Sequence, residues 1–495
     1  MQTSTSLLKN VLRTVQRRYR VPSIAIAVAQ QRHESPSATL AVVIERVREA
    51  LDAGGAPDET LKHTFLEALA RLICEAMRPD RGDPAFQATV MRHQSATVRE
   101  YASLAAHADR DRREIRAAVN AIAHPAKRQR MPLGPQRDAL ERLHALASAG
   151  AWRDLADVAR HILSLSDAPQ NDVSNTPQAD SVIARRLQAL LDGPALKRLP
   201  RLDALVTDEQ VQQYQSLWDR QGPRAGSAIA LKQGSVSRQR GAAVEARAAQ
   251  ALQALAVRLN ATHGDETPYR VVTSLRASPS LPTSAEYAKS EWDAVLLRQV
   301  RNDAGEPVFD ICLLVEAKAS VDAATTDLPR LLRGLRLLSS AESGATYAFE
   351  TQEGMVLIRG ASLTTFTTDI AYVADHVLYC CDVPTETSSR LLGAASRMQL
   401  LSADGSVAFA SHMTLKAQVP SSEADTDASL PDTQMLDPVW DQLLHSPRWE
   451  TVRQQYPLLR QVRELMVHVD DLFNSVDQIA TDITTMPSNW SAPKP

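Results

Sequence analysis

Residues 290–320 read SEWDAVLLRQVRNDAGEPVFDICLLVEAKAS. Ile311 to Val315 is an unbroken apolar run, and it ends on Glu316 and Lys318 with one alanine between them. A second apolar run, WDAVLL at 292–297, precedes it, and the intervening NDAG and proline are turn chemistry, so the pair predicts a β-hairpin. With the turn centred between Ala304 and Gly305, Asp293 stands directly opposite Glu316 on the antiparallel ladder. Directly opposed residues share a face, with Cβ atoms roughly 4.5–5.5 Å apart. A one-residue slip of the turn destroys that alignment.

Two carboxylates held so close repel each other, and one takes up a proton unless a cation lies between them. A divalent ion removes the penalty. Magnesium suits oxygen ligands and needs few protein groups, because it keeps waters and substrate phosphate in its shell. Lys318, two residues beyond Glu316 on the same face, then brings an ammonium to the water or the phosphate. The plain alternative is structural: in the same register Lys318 opposes Glu291, a cross-strand ion pair that needs no chemistry. That alternative leaves Asp293 facing Glu316 unexplained.

The Asp…Glu-x-Lys arrangement on a hairpin resembles the PD-(D/E)xK nuclease superfamily over about residues 240–360. The resemblance implies a restriction-endonuclease-like core running helix, three antiparallel strands, helix, strand. GAAVEARAAQALQALAVRL (241–259) corresponds to the leading helix and YRVVTSLR (269–276) to the first strand. TDLPRLLRGLRLLSS (326–340) corresponds to the second helix, and ATYAFETQEGMVLIRG (345–360) to the returning strand. Trp292 stands where the family name has proline.

The resemblance also implies site roles. Asp293, Glu316 and the Ala317 carbonyl hold Mg²⁺ or Mn²⁺, and Lys318 orients or deprotonates the attacking water. Glu245 is the acidic residue of the leading helix, in the outer shell or on a second ion. It lies three and seven residues before Ala248 and Leu252, so on an apolar stripe where a carboxylate needs a partner; a helix-dipole role is the bland reading. Arg330, Arg333 and Arg336, spaced by three, are candidates for the basic position on the second helix or for a solvated face. Lys232, Arg238, Arg240 and Arg247 cluster around KQGSVSRQRG (232–241), read as a loop whose small residues let backbone approach a phosphate, or as ordinary surface.

The rest of the chain sets limits. Over 495 residues, 44% are hydrophobic and 23% charged, enough for several domains with real cores. A net charge of −3 forces no nucleic-acid partner, so any basic surface is local. Four scattered cysteines make no disulfide framework and fit a reducing compartment. SIAIAVA (23–29) is too short to span a bilayer, and the expectation is a cytoplasmic protein without a membrane partner. The histidines never fall at zinc spacing, and no P-loop, dinucleotide fingerprint or nucleophile elbow occurs.

Apolar spacings of three and four predict a helical region over 1–165. A polar linker at 166–181, a helical connector at 182–225 and a nuclease-like domain at 226–418 follow. A second linker spans 419–435, then a helical segment 436–475 and a flexible tail 476–495. The fold expected is α+β: a large helical N-terminal region, a restriction-endonuclease-like α/β core with a mixed sheet, then C-terminal helices. The function expected is Mg²⁺-dependent hydrolysis of nucleic acid, DNA first, with the helical N-terminal region binding DNA, a protein partner or a second copy. The rival is a non-catalytic nucleic-acid or protein-binding module on the same fold. RRYRVPSIAIAVA (17–29) bears a faint resemblance to phosphosugar aldolase-type synthases such as 3-deoxy-arabino-heptulosonate 7-phosphate synthase. Such a synthase needs eight alternating β/α units, which a helical N-terminal third does not supply.

Overall fold

The computed structural model describes residues 2–24, 26, 35–129, 131, 133–166, 177–223, 226–263, 268–282, 288–300, 306–384, 391–418 and 432–485. Most of the segments read as linkers, 167–176 and 419–431, the Ala304–Gly305 turn, and residues 486–495 lie outside these. The chain forms two compact units that are not contiguous in sequence. One joins Met1–Leu72, Arg224–Ala403 and Asp432–Pro495; the other joins Ile73–Pro223 and Asp404–Pro431.

The second unit is helical. Side chains with oxygen acceptors set its helix starts: Asp83 accepts from the N–H groups of Ala85 and Phe86, and Asp208 from those of Gln210 and Val211. Its core gathers Ile115, Val119, Leu143, Leu155 and Leu187. The buried Asp111 pairs with both arms of the Arg198 guanidinium at 2.7 and 2.5 Å, which ties helix Ala96–Ala123 to helix Pro194–Leu205.

The first unit carries the sheet. The elements that frame it are helix α1 (Gln2–Thr14), helix α2 (Ala228–His263), strands β1 (Tyr269–Arg276), β2 (Glu291–Val300) and β3 (Val308–Ala317), and helix α3 (Val321–Ser339). Strands β4 (Thr346–Thr351), β5 (Gly354–Arg359), β6 (Val377–Cys381) and β7 (Met466–His468) and helix α4 (Val469–Thr485) follow. The sheet is mixed, in the order β2-β1-β4-β5-β3-β6-β7, and β2 pairs again with β3. The α+β class and helices at both ends therefore hold.

The open restriction-endonuclease-like sheet does not. The five strands β2-β1-β4-β5-β3 close on themselves into a small barrel. β1 meets β4 only at Arg276 and Glu350, while β3 is shared: its first half runs parallel to β5 and its second half parallel to β6. The physical reason lies at 345–360. That stretch is a hairpin, with Thr351 opposite Gly354 and Gln352–Glu353 between them. Gly354 has φ +109°, which side chains rarely adopt, and the Thr351 hydroxyl donates to its carbonyl at 2.7 Å. The strand beside Glu316 is instead β6.

Two further expectations change. Met466–His468 is a strand pairing with β6 inside the segment expected to be wholly helical, and α4 continues to Thr485, into the expected tail. Among the described residues no helix is long and apolar enough to cross a membrane.

One core face explains the sheet's placement. Val244, Ala248, Leu252, Leu255 and Leu259 of α2 pack with Ala294 and Leu296 of β2, Leu313, Val315 and Ala317 of β3, and Leu472 and Val476 of α4. Alternation along the strands then turns Asp293 and Glu316 to the other face, together.

Candidate active site

The hairpin pairs Ala294 with Val315 and Leu296 with Leu313, the register that sets Asp293 beside Glu316. Towards the loop the register shifts by one residue: Leu297 faces Ile311 and Cys312 is the extra residue of a β-bulge. The Asp293 carboxylate accepts the Ala317 N–H at 2.7 Å, so the two strand ends are joined through that side chain.

Glu316 is fully buried. Two ammonium groups converge on its Oε2: Lys289 Nζ at 2.7 Å and Lys318 Nζ at 3.1 Å. Both also approach Asp327 of α3, at 3.9 and 3.6 Å, and the Tyr379 hydroxyl of β6 donates to Asp327 at 3.1 Å. The other oxygen, Glu316 Oε1, is buried and has no hydrogen-bond partner. An orphan acceptor in the interior costs about 1–3 kcal/mol and marks a position that a donor or a cation would complete.

Charge states follow from burial and neighbours. Burial pushes the Glu316 carboxyl up to about 8; Asp293 adds to this, and Lys289 and Lys318 oppose it. Burial works against the Lys318 ammonium, but Glu316, Asp293 and Asp327 outweigh it and hold it above the usual lysine value. Lys318 is thus a charged donor at neutral pH. Of the roles expected for it, orienting the water and stabilising charge suit an ammonium so held better than proton abstraction does.

Glu245 occupies a different place from the one its spacing implied. The buried stripe of α2 runs through Val244, Ala248 and Leu252, and Glu245 lies at its exposed edge. Partial burial, and then Asp293, raise its carboxyl above the usual range, with Lys318 opposing, so it lies within electrostatic reach of the cluster. It shares no hydrogen bond or ion pair with Asp293, Glu316 or Lys318.

The basic candidates are not in the cluster. Arg330, Arg333 and Arg336 are on the exposed face of α3. The residue of that helix that reaches the cluster is Asp327, through Lys289 and Lys318. The stretch 232–241 is helix and not loop, since α2 begins at Ala228 and its glycines cost only about 1 kcal/mol each against alanine. Lys232 and Arg238 are exposed there, whereas Arg240 pairs with Asp382 at 3.1 Å and Arg247 pairs with Asp470. The cross-strand Lys318–Glu291 pair is absent: Glu291 lies 3.6 Å from Arg276.

Three residues of the cluster escaped the sequence reading. Asp327 had a signal, lying three residues after Ala324 and four before Leu331 on the buried stripe of an amphipathic helix. Tyr379 is the one polar side chain in the wholly buried strand VLYCC. Lys289 precedes β2 in a stretch without periodicity. It is seated by its N–H donating to the Arg330 carbonyl at 3.2 Å and by Gly334, where a Cβ would stand 2.9 Å from Lys289 Cβ and carbonyl oxygen.

Among the described residues no three His, Cys, Asp or Glu side chains are gathered closely enough to hold a metal ion by themselves. What the cluster offers is two neighbouring carboxylates, a buried orphan oxygen and two lysines at the end of one strand pair. A scan of the chain against protein-family models, a search of curated proteins and a search of solved structures each found no match.

Proposed function

We propose that the chain hydrolyses phosphodiester bonds of nucleic acid, with DNA as the first substrate to test, at a divalent-ion site of the PD-(D/E)xK kind built on β2, β3 and α3. On this reading α2, the antiparallel β1-β2-β3 and α3 correspond to the helix, three strands and helix of that family, in a sheet that the β4–β5 hairpin closes into a barrel. The observation that carries the reading is the convergence on Glu316, whose Oε1 is buried without a partner.

Mg²⁺ or Mn²⁺ fits these donors. Both ions prefer carboxylate and carbonyl oxygen, and magnesium commonly takes one or two carboxylates and fills its shell with water and phosphate. Asp293, Glu316 and the Ala317 carbonyl would hold it, with Glu245 further out. When bound, the ion supplies Lewis acidity and an activated water. Lys318, kept protonated by its carboxylate neighbours, places a positive charge where the attacked phosphate gains negative charge, the preorganised kind of stabilisation. Lys289 neutralises Glu316 from the buried side, and Asp327, fixed by Tyr379, holds both ammonium groups in position.

The test is cleavage of plasmid and oligonucleotide substrates with Mg²⁺, Mn²⁺ or EDTA, wild type beside Glu316→Ala and Lys318→Ala. Metal-dependent cleavage by the wild type alone supports the assignment. Equal rates in all three proteins would remove it.

One observation favours a second reading, a non-catalytic nucleic-acid or protein-binding module. Lys289 and Lys318 already balance Glu316, so the cluster can serve as a buried ion-pair network. Calorimetry separates the two, because a scaffold gives no Mg²⁺ heat that depends on Asp293 or Glu316.

A further inference from the structure

The first half of β3 carries a second polar cluster, about 20 Å along the strand from Glu316 at ~3.3 Å per residue. Asp310 is buried and bonds two arginines. Arg359 approaches through Nε at 2.9 Å and Nη2 at 2.7 Å, and Arg298 through Nη2 at 3.1 Å. One carboxylate therefore faces two guanidiniums, and one positive charge is left over. Asp310 engages neither Arg359 Nη1 nor Arg298 Nε, so each fork keeps donors that this carboxylate does not use.

These arginines line a cavity of about 340 Å³, within the range of small-ligand pockets, together with Lys9, Asp375 and His376. Three cations and two carboxylates leave its wall net positive. His376 is fixed: Nδ1 lies 2.8 Å from the Tyr372 carbonyl, which only accepts, so Nδ1 carries the proton, and the ring stacks on Tyr372 at 3.9 Å. The bulge residue Cys312 is on the same wall, and the backbone N–H of Ile311 beside it donates to Ser362 Oγ at 2.9 Å. Bulges recur where a strand re-aims side chains at a site. A carboxylate that pre-orients two guanidinium forks at a small concavity has the chemistry of an oxyanion receptor, since such forks match phosphate and carboxylate groups.

We propose that this cavity binds a small oxyanion-bearing molecule, carrying a phosphate or a carboxylate, through Arg298, Arg359 and Lys9. The inference is independent of the nuclease reading, and the volume suits a small molecule and not a polynucleotide strand.

The test is calorimetric titration of the full chain at low ionic strength, where charge pairing is least screened. The probes are inorganic phosphate, pyrophosphate and succinate, so the arms distinguish a phosphate from a carboxylate ligand. Arg359→Lys keeps the charge opposite Asp310 but loses the fork, and tenfold or greater weakening is expected. Lys9→Ala, at an exposed position, is expected to weaken binding three- to tenfold without affecting folding, and it carries the test if Arg359→Lys is unstable. Lys232→Ala, at an exposed position of α2 outside this cavity, should leave anion binding unchanged. Saturable binding by a phosphate or by succinate that follows this order supports the site. No saturable heat with any probe, or binding indifferent to both Arg359→Lys and Lys9→Ala, overturns it.

Discussion

The ammonium of Lys289 stands 2.7 Å from the carboxylate of Glu316, and both side chains are almost wholly removed from water. Such a pair is held by what surrounds it, because desolvating two charges costs several kcal/mol each and the attraction recovers this only with good geometry. Lys318 completes the neutralisation on one side of Glu316, and Asp327 pairs with the two ammonium groups. Oε1 on the other side is left without a partner.

Lys289 and Lys318 should separate stability from activity. Lys289→Ala removes one of the two cations at Glu316 and, above about pH 8 where that carboxyl is ionised, should destabilise the fold by about 3–5 kcal/mol. Lys318, with 17% of its side chain exposed, should cost less in stability. On the nuclease reading, Lys318→Ala should nevertheless lower cleavage by about 10²–10³. Urea unfolding and single-turnover cleavage of the two variants check the order. In a double-mutant cycle, Lys289→Ala with Glu316→Ala should be clearly less costly than the two single changes added.

Gly334 should prove necessary for seating Lys289. A methyl group there meets the Lys289 backbone and Trp292, so Gly334→Ala must move α3 or the segment before β2 and should cost about 1–3 kcal/mol despite alanine's better helix propensity. Gly344→Ala, which meets nothing within 4 Å, is the control and should change little. Thermal unfolding of both variants measures this.

Glu316 should impose a pH dependence. Its carboxyl is raised to about 8 in the folded chain against an ordinary value of 4.5, so between these the folded state holds a proton that the unfolded state has lost. Its contribution to stability is present below the unfolded value and is lost as pH rises towards 8. Glu316→Gln should remove this component, making the fall in urea midpoint from pH 5 to pH 8.5 shallower than in the wild type. Because a cation must displace the proton, Mg²⁺ affinity and any cleavage should rise over the same interval.

How much of this was legible in the sequence depended on how local the signal was. The hairpin, read from two apolar runs flanking turn residues, its flanking helices and the Asp293–Glu316 register at the charged end came from pattern alone. The same register was off by one near the loop, where the bulge at Cys312 absorbs a residue that no periodicity announces. The β4–β5 hairpin was hidden because its turn, Gln352–Glu353 before Gly354, lacks the Asn-Gly or Asp-Gly signature. Lys289 was invisible because its place is fixed by a backbone bond to Arg330 and by space at Gly334, both set by tertiary packing. The arginines of α3 drew attention by type, while Asp327 on the same helix had the more informative position, on the buried stripe.

Whether a divalent ion sits between Asp293 and Glu316 is read from anomalous diffraction of crystals soaked in Mn²⁺, with Glu316→Gln crystals soaked alongside. A peak is expected between the Asp293 and Glu316 carboxylates, with Glu316 Oε1 among its ligands, absent from the variant. Full Mn²⁺ exposure with no peak there, and Lys289 and Lys318 still closed on Glu316, would contradict the divalent-ion site.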